Sequence, residues 1–238
     1  MRSEVKPARV WLFDLDNTLH NASHAAFPGI NERMSGYIER TLAVARGQAD
    51  ALRRDYLQRY GATLLGLVRH HGVKAAHFLH DTHVLPGLEG RVRGHPHDFD
   101  ALRQLRGRKF ILTNAPRAYA ERVLGALGIG HLFDGVLSIE DMAMFGQLRP
   151  KPDARMLKRV AVRLGVTPAR CVLVEDTLVH QKAARRIGMA TVWMQRWTRQ
   201  AAKHITAREK VGVYLHRKPA YVCARITSLQ QLRKRRLP

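Results

Sequence analysis

The segment that most constrains the fold is residues 14–18, Asp-Leu-Asp-Asn-Thr, which directly follows the apolar run of residues 10–13. An apolar run that ends in turn-forming polar residues is typical of a strand covered on both faces of a parallel sheet. Ligands of such sheets bind outside the carboxyl ends of the strands. An Asx turn alone would explain the two acids. At a ligand-binding edge, however, they supply a nucleophile, an acid/base and a site for Mg²⁺.

Further apolar runs alternate with segments of helical periodicity. Strands are predicted at residues 110–112, 136–139, 171–174, 191–194 and 221–224. Between two of these runs, Met156, Val160 and Leu164 form an apolar stripe that stops at Gly165, as at the end of an amphipathic helix. The alternation predicts an α/β fold with a doubly wound, mostly parallel, Rossmann-like sheet.

One long segment lacks strand patterns. From residue 22 to residue 95 only helical patterns occur, and Gly and Pro residues stand near both ends of the segment. We therefore expect two units: an α/β core of residues 1–20 and 96–238, and an inserted helical cap of residues 21–95. A cap inserted after the first strand would lie above the carboxyl edge and close over the site.

The net charge of +22 is concentrated toward the end of the chain. Residues 196–238 form a basic C-terminal extension in which twelve Lys and Arg residues accompany a single acid, Glu209. This charge would suit nucleic-acid phosphates, although no zinc-finger or RNA-recognition signature accompanies it. A surface that attracts anionic metabolites and a solvated tail are the alternatives.

Other polar groups follow the later predicted strands. Thr113 and Asn114 come directly after the second strand, and Lys151 stands between two prolines ahead of a predicted helix. Glu175 and Asp176 end a further strand, where adjacent acids require donors or a cation. A hydroxyl, an amide, a fixed cation and several carboxylates would thus meet at one edge of the sheet, a set suited to a phosphate group and a metal ion.

Taken in order, these motifs resemble the four motifs of the haloacid dehalogenase-like hydrolases over about residues 10–195. The predicted cap of residues 21–95 corresponds to the helical cap of that superfamily. The resemblance also implies a haloacid dehalogenase-like core for the rest of the chain. Residues 11–19, 60–67 and 112–117 are also similar to the pyrimidine 5'-nucleotidase group.

The resemblance implies a role for each motif residue. Asp14 would attack phosphorus, and Asp16 would protonate the leaving alcohol and later activate water. The Mg²⁺ ligands would be the Asp14 carboxylate, the Asp16 backbone carbonyl and Asp176, with possible support from Glu175, which stands where the nucleotidase group more often has Asp. The residues expected to bind phosphate are Thr113, Asn114 and Lys151.

The implied function is that of a Mg²⁺-dependent phosphomonoesterase with an aspartyl-phosphate intermediate, most suitably for a pyrimidine nucleoside 5'-monophosphate. Asp16 argues against the dehalogenases of the superfamily, which attack carbon without a second aspartate. Hydrolysis of phosphoglycolate or a sugar phosphate, and a phosphomutase reaction, fit the same core motifs. A basic nucleic-acid-binding protein is the alternative from another functional class.

The remaining residues suggest structural roles. We expect reduced thiols at Cys171 and Cys223, and packing by the tyrosines at positions 37, 56 and 60, with base stacking by one of them as the alternative. For the histidines at positions 70, 71, 95 and 97 we expect surface or structural roles rather than metal binding. Residues 1–9 lead directly into a strand, and no apolar stretch approaches the roughly 20 residues of a membrane span. A cytoplasmic protein without a signal peptide is therefore expected, whereas the oligomeric state is left open.

Overall fold

A six-stranded parallel sheet forms the centre of the protein in a computed structural model that describes residues 9–203 and 217–234. The strands in chain order are β1 (Val10–Phe13), β2 (Arg108–Leu112), β3 (Gly135–Leu137), β4 (Ala143–Met144), β5 (Gln147–Leu148), β6 (Cys171–Glu175), β7 (Ala190–Met194) and β8 (Ala224–Ile226). The large sheet has the order β3-β2-β1-β6-β7-β8, and β4 and β5 form a separate antiparallel hairpin.

Helices connect the strands of the large sheet. They are α1 (Ala22–Ala25), α2 (Phe27–Leu42), α3 (Arg46–Tyr60), α4 (Thr63–His71), α5 (Ala75–His83), α6 (Leu88–Arg91), α7 (Pro96–Gln104), α8 (Arg117–Leu127), α9 (Ala154–Arg163), α10 (Leu178–Arg186) and α11 (Arg196–Ala202). Short 3₁₀ helices occur at Gly130–Leu132, Ile139–Met142, Pro168–Arg170 and Leu229–Lys234.

Strand β1 lies between β2 and β6, and its register aligns the ends of all three strands. Phe13 is opposite Ile111 on one side and Val174 on the other, and the Asp14 amide continues the ladder by donating to the Val174 carbonyl at 2.9 Å. The residues that follow these strands therefore meet at one edge of the sheet.

The sheet is covered on both faces, which confirms the predicted doubly wound α/β fold. Trp11 and Phe13 of β1 belong to one hydrophobic cluster, together with residues of α8. Val10 and Leu12 belong to a second cluster, with residues of α9 and α10. Because side chains alternate between the two faces, every residue of β1 is buried, as its continuous apolar sequence predicted.

The chain between β1 and β2 is helical, as expected from residues 22–95. We call residues 22–91, which contain α1 to α6, the helical segment. Its central part has its own hydrophobic cluster, which includes Tyr37, Ile38 and Phe78, whereas Ala25 and Leu88 near its ends pack into a cluster of the sheet. The division into a core and a cap at residues 20 and 95 stays a prediction.

Two helix ends follow the sequence signals closely. Helix α9 ends at Arg163 and is followed by Gly165 with a φ of 70°, and α8 ends before Gly128 with a φ of 66°. Both glycines have the left-handed conformation that other residues adopt only at a cost. The apolar stripe of α9 is buried as predicted.

The predicted strand at residues 221–224 is wrong in its placement. A turn closed by the Val222 amide and the Pro219 carbonyl occupies its start, and the strand is Ala224–Ile226. Neither the β4–β5 hairpin nor α11 was predicted, because each is short and lacks an apolar repeat. Residues 204–216 and 235–238 of the basic extension lie outside the described residues.

The residues expected to be structural are packed or paired. Cys171 is buried and Cys223 half-buried, and both are free thiols, as predicted. The Tyr60 hydroxyl lies 2.6 Å from His70 Nε2, and the hydroxyl of Tyr56 lies 2.7 Å from the Nε2 of the next histidine, which agrees with packing roles. Within residues 9–203 and 217–234, no helix is long and apolar enough to cross a membrane.

Candidate active site

A tight turn after β1 presents the two aspartates of the first motif. The Leu19 amide donates to the Leu15 carbonyl at 2.9 Å, and Asn17 adopts a φ of 57°. Asparagine tolerates this left-handed conformation better than most residues. Its side-chain carbonyl accepts from the Ser23 amide at 2.9 Å, and its amide donates to the Ser23 hydroxyl at 2.8 Å. The turn is thus tied to the start of the helical segment.

Asp14, Lys151 and Glu175 form a buried charged cluster. Lys151 Nζ donates to Asp14 Oδ1 at 2.6 Å and to Glu175 Oε2 at 2.8 Å. The exposed fractions are 6% for Asp14 and 1% for both Lys151 and Glu175. Charges this deep are stable only when they are paired. The neighbouring carboxylates raise the pKa of Lys151 despite its burial, so the ammonium is retained.

The backbone at Lys151 is fixed by the side chain of Asn114. The Asn114 amide donates to the Lys151 carbonyl at 2.9 Å, and the Asn114 side-chain oxygen accepts from the Lys151 amide, also at 2.9 Å. The side chain predicted to bind phosphate is therefore engaged in positioning the lysine. A phosphate contact by Asn114 stays a prediction.

Thr113 lies at the wall of the same cavity as Asp14. Its hydroxyl oxygen accepts from the Ala115 amide at 3.0 Å, and the residue is buried. Because a hydroxyl that accepts one hydrogen bond can still donate its own proton, Thr113 can donate to an anionic oxygen in the cavity.

Three carboxylates meet where the sequence predicted a metal site. In the part of the chain that the structure describes, Asp14, Glu175 and Asp176 form the one group of potential metal ligands whose donor atoms lie within 4.8 Å of one another. Burial, followed by the charge of Glu175, raises the pKa of Asp14 to about 7 and that of Asp176 well above its usual range. Such a set favours either a proton or a bound cation, and its oxygen ligands fit Mg²⁺.

Glu175 behaves differently from the two aspartates. Burial opposes its ionisation, yet Lys151 and His180 together hold the pKa of Glu175 below its usual range. The Nδ1 atom of His180 lies 3.1 Å from Glu175 Oε2. Lys151 and His180 therefore favour the carboxylate form of Glu175.

The side chain of Asp16 lies outside the carboxylate group. Its Oδ1 atom accepts from the Tyr119 hydroxyl at 2.7 Å and from His20 Nε2 at 2.8 Å. Although burial alone would raise the pKa of Asp16, these hydrogen bonds and the nearby histidines lower it. The two aspartates of the motif therefore lie in different electrostatic environments: hydrogen bonds favour the carboxylate form of Asp16, whereas burial favours the protonated form of Asp14.

A cavity of about 470 Å³ connects the sheet edge with the helical segment. The helical segment lines it mainly with apolar side chains, among them Phe27, Ile30, Met34, Leu57 and Phe78. Arg53 adds a guanidinium, which donates to Asn31 Oδ1 at 2.9 Å and to the Ser35 hydroxyl at 3.2 Å. A Cβ atom built on Gly61 would lie 3.3 Å from Pro152 Cδ, so the end of α3 lies against the Lys151 loop.

Several residues of the site were not found from the sequence. His20 stands four residues after Asp16, and this spacing was the available signal. Tyr119 lies on α8, and its aromatic side chain resembles an ordinary core residue in the sequence. Arg53 is one of several arginines of α3 and carries no distinguishing pattern.

Comparisons with known proteins identify the family of the chain and its relatives. A family model described as haloacid dehalogenase-like hydrolase matches residues 8–188. The chain is 26% identical over 200 residues to Phosphate metabolism protein 8 of Saccharomyces cerevisiae, a match that covers 78% of this chain. Over 95 residues, or 39% of this chain, it is 35% identical to Fructose-1-phosphate phosphatase YqaB of Escherichia coli. The chain spans only 61% and 48% of the lengths of these relatives.

The fold is shared with solved structures. A HAD phosphatase from Thermococcus onnurineus superimposes with a TM-score of 0.61 at 20% identity, and the match covers 95% of this chain and 96% of that one. At 20% identity, this likeness shows a shared fold only.

Proposed function

Since the chain belongs to the haloacid dehalogenase-like hydrolases, we propose that it is a Mg²⁺-dependent phosphomonoesterase that forms an aspartyl phosphate on Asp14. The observation that carries this proposal is the buried contact between Asp14 and Lys151 at a cavity that Asp16 also lines. A nucleophile, a cation for phosphoryl oxygens and a separate acid are the groups that phosphoryl transfer needs. The relative from Escherichia coli is named a phosphatase, which supports the same reaction class.

In the first step, a carboxylate oxygen of Asp14 attacks phosphorus and the bond from phosphorus to the leaving oxygen breaks. Asp16 gives its proton to that oxygen, so that a neutral alcohol leaves. Lys151 and Thr113, which both line the cavity, would donate hydrogen bonds to the phosphoryl oxygens and stabilise their charge. Asn114 holds the Lys151 backbone during this step.

In the second step, water attacks the phosphorus of the aspartyl phosphate. Asp16, now a carboxylate, takes a proton from this water while the bond between phosphorus and Asp14 breaks. Inorganic phosphate leaves, Asp14 returns as a carboxylate, and Asp16 is again protonated for the next substrate. A phosphomutase would instead transfer the phosphoryl group to a second alcohol, so the competition between water and that alcohol separates the two functions.

The residues that would hold Mg²⁺ are Asp14, Asp176 and the backbone carbonyl of Asp16, with support from Glu175. When bound, the ion supplies positive charge that lets an anionic nucleophile approach an anionic ester. The raised pKa values of Asp14 and Asp176 support this assignment, because burial and the charge of Glu175 raise both and a bound cation would oppose these effects.

For the substrate, we propose a pyrimidine nucleoside 5'-monophosphate. The cavity volume lies in the range typical of small-molecule sites, about 300–1,000 Å³, and its apolar wall suits a flat base. Arg53 can donate to a carbonyl oxygen of that base. A sugar phosphate is the second candidate within the same chemistry, favoured by the relative named Fructose-1-phosphate phosphatase.

A phosphate-release screen with Mg²⁺ tests the proposal. UMP, CMP, fructose 1-phosphate, phosphoglycolate and p-nitrophenyl phosphate form the panel. We expect release from the nucleotides and the aryl ester, and loss of release in Asp14→Asn. The matched control is Asp100→Asn, which changes an exposed aspartate of α7 and should leave the rate unchanged. Undiminished release by Asp14→Asn would contradict the assignment of the nucleophile.

A basic nucleic-acid-binding protein is the candidate from another class, favoured by the net charge of +22. Tight, salt-sensitive binding to RNA or DNA that survives Asp14→Asn, without turnover of any phosphate ester, would support it.

We further propose that residues 21–95 act as the cap and that the protein works in the cytoplasm. Localisation of the tagged chain in cells tests the proposed cytoplasmic location.

A further inference from the structure

We propose that Tyr119 and His20 are positioning residues that orient Asp16 for proton transfer to the leaving group. This inference rests on the proposed phosphomonoesterase function. Both residues contact the same carboxylate oxygen, Asp16 Oδ1, at 2.7 Å and 2.8 Å. Neither residue belongs to the motif set that suggested the reaction.

The two oxygens of the Asp16 carboxylate have different surroundings, because both contacts are made to Oδ1. Oδ1 is covered by two donors whose residues are themselves buried, with exposed fractions of 2% for Tyr119 and 0% for His20. The Asp16 side chain nevertheless keeps 17% exposure and lines the cavity. Two donors on one oxygen fix the plane of the carboxylate, and Oδ2 is left to exchange the proton.

The two donors come from different parts of the chain. His20 directly follows the turn that carries Asp16, whereas Tyr119 belongs to α8 after β2. A side chain held from two independent elements cannot rotate without breaking a hydrogen bond at one of them. Proton transfer requires this precision, because a general acid must be within hydrogen-bond reach of the leaving oxygen.

The helical segment also contacts this arrangement. The ring of His83, at the end of α5, lies edge-on to the ring of Tyr119 with 5.7 Å between their centroids. The Nδ1 atom of His83 is 2.9 Å from the Thr82 hydroxyl oxygen and 3.1 Å from the Leu79 carbonyl oxygen. His83 thus packs against the phenol that reaches Asp16 and lines the cavity beside it.

Esters with different leaving groups distinguish a positioning role of these residues from a merely structural one. An alkyl phosphate such as UMP needs a proton on its leaving oxygen, whereas p-nitrophenyl phosphate releases a stable anion. The value of kcat/KM reports only the steps through departure of the leaving group, so later hydrolysis of the aspartyl phosphate does not affect it. A loss of Asp16 orientation should therefore lower kcat/KM for the alkyl ester and leave kcat/KM for p-nitrophenyl phosphate nearly unchanged.

The variant is Tyr119→Phe, which removes the hydroxyl and keeps the ring. We expect kcat/KM for the best alkyl phosphate to fall about 30-fold, a part of the 10²- to 10⁴-fold that general acids contribute. For p-nitrophenyl phosphate, kcat/KM should stay within about twofold. The matched control is Tyr37→Phe, which removes the hydroxyl of another buried tyrosine, one whose oxygen lies 3.0 Å from His77 Nδ1 instead of contacting Asp16. It should change neither value.

His20 supplies an independent variant in case Tyr119→Phe does not fold. His20→Leu should show the same selective loss, and His20→Gln, whose amide can replace the Nε2 donor, should restore most of it. Equal losses on both esters, or no loss on either, would overturn the inference while the wild type still hydrolyses them. No release by the wild type from any ester would instead overturn the proposed function, and this inference with it.

Discussion

The carboxyl edge of the sheet and the helical segment line one cavity with different chemistry. At the sheet edge, the ionisable side chains of Asp14, Lys151 and Glu175 are almost fully buried and joined by hydrogen bonds of 2.6 Å and 2.8 Å. The helical segment contributes mostly apolar side chains and the guanidinium of Arg53. In the proposed function, the first region would bind the phosphoryl group, which all candidate substrates share, and the second would bind the leaving group, which differs among them.

The two regions would therefore contribute to different parts of the proposed function. Reaction chemistry is concentrated in short segments at strand ends, because a few charges at fixed distances determine it. In the proposed function, leaving-group selection would be spread over α2, α3 and α5, because side chains of all three helices line the cavity. Variants of the two regions should therefore have effects of different kinds, and we describe them from the largest expected effect to the smallest.

The largest effect is expected at Lys151. Lys151→Met keeps most of the side-chain volume but leaves Asp14 and Glu175 without their buried cation. We expect kcat/KM to fall about 10³-fold for every ester tested, as when a fixed charge partner of the transferring group is lost. The metal-free protein should also lose about 3 kcal/mol of unfolding free energy. Steady-state kinetics and urea unfolding measure the two changes.

Lys158→Met provides the matched control, because Lys158 is exposed on α9. It should leave both quantities unchanged. A loss in Lys151→Met that is confined to one ester would contradict the assignment of Lys151 to the shared phosphoryl group.

A smaller and more selective effect is expected at Arg53 in the helical segment. Arg53→Ala removes the guanidinium that we propose binds the leaving group, and a charged hydrogen bond is worth about 1.5–3 kcal/mol. We expect kcat/KM for the best nucleotide to fall about 30-fold, with p-nitrophenyl phosphate changed by less than about twofold. The neighbouring Arg54→Ala, at an exposed position of α3, is the control. Equal losses on both esters would remove the proposed difference between the regions.

Asn114 should have a smaller effect, because it acts through the Lys151 backbone. Asn114→Ala removes two hydrogen bonds of 2.9 Å, each worth about 1 kcal/mol. We expect a loss of about tenfold in kcat/KM on all esters and a lower melting temperature. If phosphate contacts of Asn114 dominate instead, KM for every ester will rise while the melting temperature stays constant.

The mildest effect concerns Mg²⁺ and pH. Burial raises the pKa of Asp14 from 3.8 to about 7, so the metal-free folded protein holds a proton there that the unfolded chain has lost. Stability from this proton is full below pH 3.8 and is lost as the pH rises toward 7. Because the metal must displace the proton, Mg²⁺ should bind more weakly at low pH, by up to about tenfold per pH unit.

Thermal unfolding with and without Mg²⁺ from pH 5.5 to pH 8 measures this dependence. The stabilisation by Mg²⁺ should grow up to about pH 7 and then level off. Asp14→Asn should weaken the dependence because its side chain does not titrate. A stabilisation that increases toward low pH would contradict the raised pKa.

The sequence was a good guide to the sheet edge and a poor one to the cavity wall. The continuous apolar sequence of β1 and the acids after it specified both the strand and its edge, because burial on two faces leaves a clear pattern. Lys151 was recognisable by its flanking prolines. Arg53 and Tyr119 were not, because each reaches its partner through tertiary packing that has no local sequence signal.

Asn114 shows a different limit of prediction. Its position after β2 was correct, but the partner of its amide, the Lys151 backbone, depends on how two distant loops meet. The last strand was misplaced for a related reason, since a turn at residues 219–222 interrupts the apolar run. The bounds of a strand and the hydrogen-bond partner of a side chain depend on tertiary contacts, whereas the presence of a strand can be predicted from a run of apolar residues.

The most direct test of the central claim is to detect the phosphoryl group on Asp14. Asp16→Asn should still be phosphorylated by p-nitrophenyl phosphate, whose leaving group needs no proton, but it should hydrolyse the aspartyl phosphate slowly. Acid quenching and mass spectrometry should then find one hydroxylamine-sensitive phosphoryl group per chain in the peptide that contains Asp14. Phosphate release by the wild type together with an unmodified Asp14 peptide in the quenched variant would contradict covalent phosphoryl transfer through this residue.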